Sequence, residues 1–128
     1  MEEELIKRFK NLKTLKKELK TIEARLDDLS SLARLPLDED SREVIKQQQK
    51  NYIERANEII KEQAVIEKII NMLENPIERC ILVLRYIKCK KWNDIRNEVG
   101  YENTQMYRYH DAAMSNIIDV MEENKWIK

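Results

Sequence analysis

Asn103, Thr104, Gln105, Tyr107 and Arg108 crowd five different hydrogen-bonding side chains into a short run, and Lys88, Lys90, Lys91 and Trp92 precede them. Glutamine can pair bidentately with adenine and arginine with guanine, while threonine or tyrosine suits a phosphate or a thymine methyl. Such a set can read base edges, whereas a merely solvated helix face more often carries Lys and Glu. Cations just ahead of Trp92 suit the sugar-phosphate backbone, the alternative being a solvated loop. Chemistry of other kinds finds no support. There are no paired carboxylates on a supported frame, no nucleophile with a base and no glycine-rich phosphate loop, so no enzyme and no cofactor are expected. Cys80 and Cys89 have no partner cysteines, and the single histidine, His110, lies well downstream, so no zinc spacing exists. Both cysteines read as small apolar filler, without a disulfide if one helix carries both. His110 reads as a partly buried surface histidine, with phosphate contact as the other use.

Gly100 is the chain's one glycine, and it stands between two short helical patterns. Trp92, Ile95 and Val99 recur at helical spacing before it, and Met106, Tyr109, Ala113 and Ile117 do so after it. Helix, glycine turn, helix is the form of a DNA-binding helix-turn-helix and equally of an ordinary αα-corner. Turning Met106 and Tyr109 inward leaves Asn103, Thr104, Gln105, Tyr107, Arg108 and Asp111 outward. Upstream, Asn75-Pro76-Ile77-Glu78 is a helix start, with Asn as cap, Pro at the first position and Glu closing a capping box. Ile77, Cys80, Ile81, Leu84 and Ile87 form its inner stripe, and Leu82, Val83 and Tyr86 make it apolar nearly all round. Downstream, Met114, Ile117, Ile118 and Met121 lead to an apolar tail, Trp126-Ile127, suited to docking on the hairpin or on another subunit.

Residues 1–74 carry a different pattern. Leu5, Phe9, Leu12, Leu15, Leu19, Ile22, Leu26, Leu29 and Leu32 step by threes and fours up to Pro36. A second stripe runs through Ile45, Gln49, Tyr52, Ala56, Ile59, Gln63, Ile66, Ile70 and Leu73, from a start placed at Asp40 with Glu43 as its capping-box partner. Two helices of about 30 residues, roughly 45 Å each, joined by a short turn, predict an antiparallel coiled-coil hairpin. Its register sets Leu5 by Ile70, Phe9 by Ile66, Leu12 by Gln63, Leu19 by Ala56 and Leu26 by Gln49. Such a seam is thin, which argues for a homodimer or for cover from the C-terminal part. Lys7, Arg8, Lys10, Lys13, Lys16, Lys17 and Lys20, against Glu18 alone, are the most basic window. They read either as a nucleic-acid or polymerase surface or as flanking pairs to Glu54, Glu58, Glu62 and Glu67.

The fold class expected is therefore all-α: a hairpin over 1–74, then a three-helix helix-turn-helix domain over 75–128. Composition agrees, with one glycine and two prolines in 128 residues and 38% charged side chains. Lys plus Arg equals Asp plus Glu at 24 each, so no global field draws the molecule to nucleic acid. No apolar run is long enough for a membrane span, and the M-E-E-E start is no leader, so a cytoplasmic protein is expected.

The runs P-I-E-R-C-I-L-V-L-R-Y-I, K-C-K-K-W-N-D-I-R-N-E-V-G-Y and M-Y-R-Y-H-D-A-A-M resemble the helix-turn-helix of sigma-70 region 4. With a helical hairpin in front, the whole is similar to phage-encoded sigma-like transcription regulators, the ArpU-like autolysin regulators and late-gene activators. That resemblance implies a phage- or prophage-encoded regulator binding double-stranded DNA, with RNA polymerase as a further partner. Family roles, base-reading and backbone, then fall on Asn103, Thr104, Gln105, Tyr107 and Arg108, and the entry contacts on Lys91 and Trp92, with Lys90 a candidate beside them from its charge alone. Glu102 stands where the family has a Ser or Thr cap, and Asn103 is expected to take over as cap. The rival classes are a protein that binds polymerase or another regulator without touching DNA, and a DNA-packaging recognition subunit.

Overall fold

The computed structural model describes residues 2–123, and it is all-α. Helix α1 spans Glu2–Leu32, α2 Glu39–Asn71 and α3 Pro76–Leu82, which runs into a π-helical turn at Val83–Ile87. Helix α4 spans Trp92–Val99 and α5 Asn103–Glu123. The apolar tail at Trp126-Ile127 lies outside the described residues. No described helix is long and apolar enough to cross a membrane.

Caps fix where the helices begin, and they differ in part from expectation. Asp38, not Asp40, caps α2: its Oδ1 accepts the Ser41 N–H at 2.8 Å. That N–H holds the Asp38 carboxyl below its ordinary pKa. Asp38 takes this role because α2 already begins at Glu39, which puts Asp40 inside the first turn. Asn75 caps α3 as its sequence predicts, taking the N–H groups of Ile77 and Glu78 on Oδ1. Glu78 does not complete a capping box. It is 6% exposed and accepts from Asn116 Nδ2 of α5 at 2.8 Å, so its carboxylate ties two helices instead.

The chain divides into two compact units, residues 14–62 and residues 1–13 with 63–128. The helix break at Asn75 is real but is not where these units part. In the 14–62 unit, Ile22, Leu29, Ile45 and Ile59 are buried, while Leu15, Leu19, Leu26, Gln49, Tyr52 and Ala56 are half-buried. Leu32, the last of the predicted stripe, is 45% exposed. A seam of two helices covers one row fully and leaves its flanks partly wet, hence this gradation. Glu18 meets Arg55 and Arg25 meets Tyr52, so the α2 number falls as the α1 number rises and the two segments run antiparallel. Arg55 grips Glu18 through Nε at 2.6 Å and Nη2 at 3.0 Å, and it also holds Glu58 at 2.8 Å. Glu58, expected to face a lysine of the first helix, is thus paired within α2, and the cross-helix ion pair has the opposite polarity. The grip lowers the Glu18 pKa.

In the other unit, Leu5, Phe9, Leu12, Ile66, Ile69, Ile70 and Leu73 are buried around the ends of α1 and α2. Arg79 fastens the link between α2 and α3 by donating to the carbonyls of Leu73 at 2.6 Å and Glu74 at 3.0 Å. The π-turn then changes the phase of the stripe that follows. Lys88 N–H reaches back five residues to the Val83 carbonyl at 2.8 Å, and Ile81, Leu82, Tyr86 and Ile87 are the buried set. A five-residue step aligns Ile81 with Tyr86 and Leu82 with Ile87, which a 3.6-residue stripe does not. Cys80, expected inside, is exposed, and Cys89 is half-buried with φ of +58°, so neither is core filler.

Candidate nucleic-acid interface

One small cluster sets the orientation of α5. Ile81 of α3, Ile95 of α4 and Met106 of α5 are fully buried together, with Ile77, Leu84, Trp92, Val99 and Tyr109 packed around them. Helix α4 ends at Gly100, whose N–H bonds to the Arg96 carbonyl at 2.9 Å while its φ is +76°. That left-handed residue turns the chain in two further positions, and α5 starts. The Glu102 carbonyl accepts the Met106 N–H at 2.9 Å, so the cap position falls to Glu102 and Asn103 is already helical. The expected shift of the cap to Asn103 does not occur.

With Met106, Ala113 and Ile117 fully buried, helical geometry decides the rest. Asn103, Thr104, Gln105, Tyr107, Arg108 and Asp111 are all exposed. Asn103 and Tyr107 form one row four residues apart, and Thr104 and Arg108 the next. Gln105 stands three residues from Arg108, close enough for both to address neighbouring groups on one ligand. Of the apolar run further along, Ile117 and Met121 are 0% and 4% exposed and Ile118 is half-buried.

The upstream candidates differ from one another. Lys91 is exposed in the extended residue before α4, with no ion pair among the described residues. Lys90 is engaged: its Nζ pairs with Glu98, which raises its pKa. Trp92 is half-buried and acts as a bracket. Its ring meets Tyr107 at 5.1 Å and His110 at 5.2 Å, both edge-on, and the Arg85 guanidinium lies 4.5 Å over it. Trp92 thus positions Tyr107, a residue of the exposed face.

The sequence pattern puts Lys10 and Lys13 only in a basic window open to two uses and gives Arg85 no role, because the π-turn that presents Arg85 and the approach of α1 are not local patterns. These three border a concavity beside Tyr107 that Trp92, Tyr86 and His110 also line. His110 is held on both nitrogens, by the Tyr86 hydroxyl at 2.8 Å on Nε2 and by Asp111 Oδ1 at 3.1 Å on Nδ1. With Nδ1–H donating to Asp111, Nε2 accepts from Tyr86. Burial raises the Tyr86 pKa. Among the described residues no group of three His, Cys, Asp or Glu side chains is placed to hold a metal ion.

Residues 44–118 match the family model described as protein of unknown function (DUF1492), and that stretch is more than half of the chain. The chain belongs to the DUF1492 family. Its matched stretch runs from early α2 to within α5 and so includes α4, the Gly100 turn and the exposed face of α5. No protein of curated function and no solved structure matches the chain.

Proposed function

We propose that this DUF1492 protein binds double-stranded DNA through the exposed face of α5 and acts in the cytoplasm as a phage- or prophage-encoded transcription regulator of the sigma region 4 type. One observation carries the proposal. Asn103, Thr104, Gln105, Tyr107 and Arg108 are exposed together on the first turns of a helix that α3 and α4 hold from behind. A helix so supported can enter a major groove about 12 Å wide, with glutamine and arginine at base edges. Lys91 is placed for a phosphate at the entry of α4. Lys90 contributes less, since Glu98 already neutralises it.

With no net charge, a single copy has modest non-specific affinity, and a second copy or RNA polymerase would supply the remainder. Ile53 and Ile60 of α2 are 49% and 54% exposed and lie two turns apart on one face, which suits a protein partner on the 14–62 unit. They also favour the second reading, a protein that docks on polymerase or another regulator without touching DNA. Selection of duplexes from a random pool, followed by sequencing, separates the two. Enrichment of a shared motif supports DNA binding, and an unenriched pool together with polymerase capture supports the second reading.

A further inference from the structure

Of the basic window on α1, Lys10 and Lys13 have no assigned use, yet they do not face open solvent alone. Phe9 and Leu12 are both fully buried, and the Phe9 ring meets Tyr86 edge-on at 5.4 Å. This fixes the rotation of α1, and the next residue after each buried one, Lys10 and Lys13, is carried to the border of a concavity of about 480 Å³. Arg85 enters the same concavity from the π-turn. One of its five N–H donors is used on the Lys90 carbonyl at 3.1 Å, and no carboxylate pairs with it among the described residues. Trp92 and Tyr107 wall the cleft and His110 closes it. The one acid there, Asp111, has its side chain 82% exposed and turned to His110.

Three cations from two distant stretches of chain, with no ion pair for any of them among the described residues, repel one another unless an anion joins them. An arginine fork beside two ammonium groups has the chemistry of a phosphate site. Tyr107 belongs both to the cleft wall and to the exposed face of α5, so the cleft borders that face directly. We infer that the cleft formed by Lys10, Lys13 and Arg85 is a phosphate-binding site, and that it takes a backbone phosphate at the rim of the groove α5 enters. This rests on the DNA binding proposed above. It gives α1 a direct part in holding nucleic acid, as a clamp on one strand beside the helix that reads bases.

The test uses the full chain with Trp126→Phe, so that Trp92, one of two tryptophans, reports alone on the cleft. A mixed-sequence duplex should change Trp92 fluorescence on binding. The double variant K10Q/K13Q should weaken every duplex about five- to tenfold per lysine near 0.1 M salt, and make the log–log salt dependence shallower by about 0.9 for each phosphate no longer neutralised. Both positions are exposed, so an unchanged circular dichroism melt will show that folding is retained. Duplex binding that K10Q/K13Q leaves intact in strength and salt slope overturns the cleft while leaving DNA reading by α5 in place. If the parent binds no duplex, DNA binding falls, and inorganic pyrophosphate is titrated against Trp92 instead. A saturable response that K10Q/K13Q abolishes retains the phosphate site and reassigns its source to a free phosphate compound. No response overturns the site.

Discussion

Replacing Gly100 probes the joint on which the orientation of α5 depends, and its effect can be worked out from two facts. The residue has φ of +76°, and a Cβ built there meets no atom within 4 Å. Steric conflict therefore contributes nothing, and only the backbone conformation counts. A left-handed residue with a side chain costs about 1–2 kcal/mol, while removing glycine from the unfolded chain offsets about 0.4–1 kcal/mol of that. Gly100→Ala should then destabilise by about 0.5–1.5 kcal/mol, a few degrees in Tm for a chain of this size. Gly100→Asn should lose less, since asparagine tolerates this region, and Gly100→Val most, being β-branched. Urea unfolding followed by circular dichroism measures the series, with an unchanged m-value required for comparison. If Asn costs as much as Ala, or Ala costs nothing, the left-handed turn is not what holds α4 to α5 and the account of the joint is wrong.

If Gln105 and Arg108 address base edges, Ala at either should cost about 1–3 kcal/mol on the preferred duplex and relax one or two positions, seen in competition against scrambled duplexes. Lys91→Gln should weaken all sequences alike and reduce the salt slope by about 0.9, whereas Lys90→Gln should do so less because Glu98 pairs with it. Cys89 holds φ of +58° with a side chain, so Cys89→Gly should raise stability by up to about 1 kcal/mol in the same urea assay. Burial raises the Tyr86 pKa, so the unfolded chain loses this proton first. Its contribution is complete below about pH 10 and is lost as pH rises through the folded value, and Tyr86→Phe should remove that part of the alkaline decline in Tm.

Local pattern determined much of this protein. An all-α chain followed from sparse glycine and proline and from stripes of threes and fours. The start of α3 followed from Asn75-Pro76, and the turn from a lone glycine between two periodic stretches. Met106, Ala113 and Ile117 inward, with Thr104, Gln105 and Arg108 outward, needed only the helical period. Each is a property of residues a few positions apart, where geometry is nearly independent of the rest of the chain. Other features depended on what packs against what. Glu78 was drawn from a capping box to Asn116 because α5 lies beside α3 and a buried carboxylate needs a partner. The π-turn at Val83–Ile87 presented Arg85 over Trp92, a change of phase that no periodic template contains. Met121, whose cover by the hairpin or by another subunit stayed open when read alone, is buried within the chain. Lys10 and Lys13 reached the cleft only because Phe9 packs on Tyr86, an approach of residues far apart in the chain, and only the fold creates it.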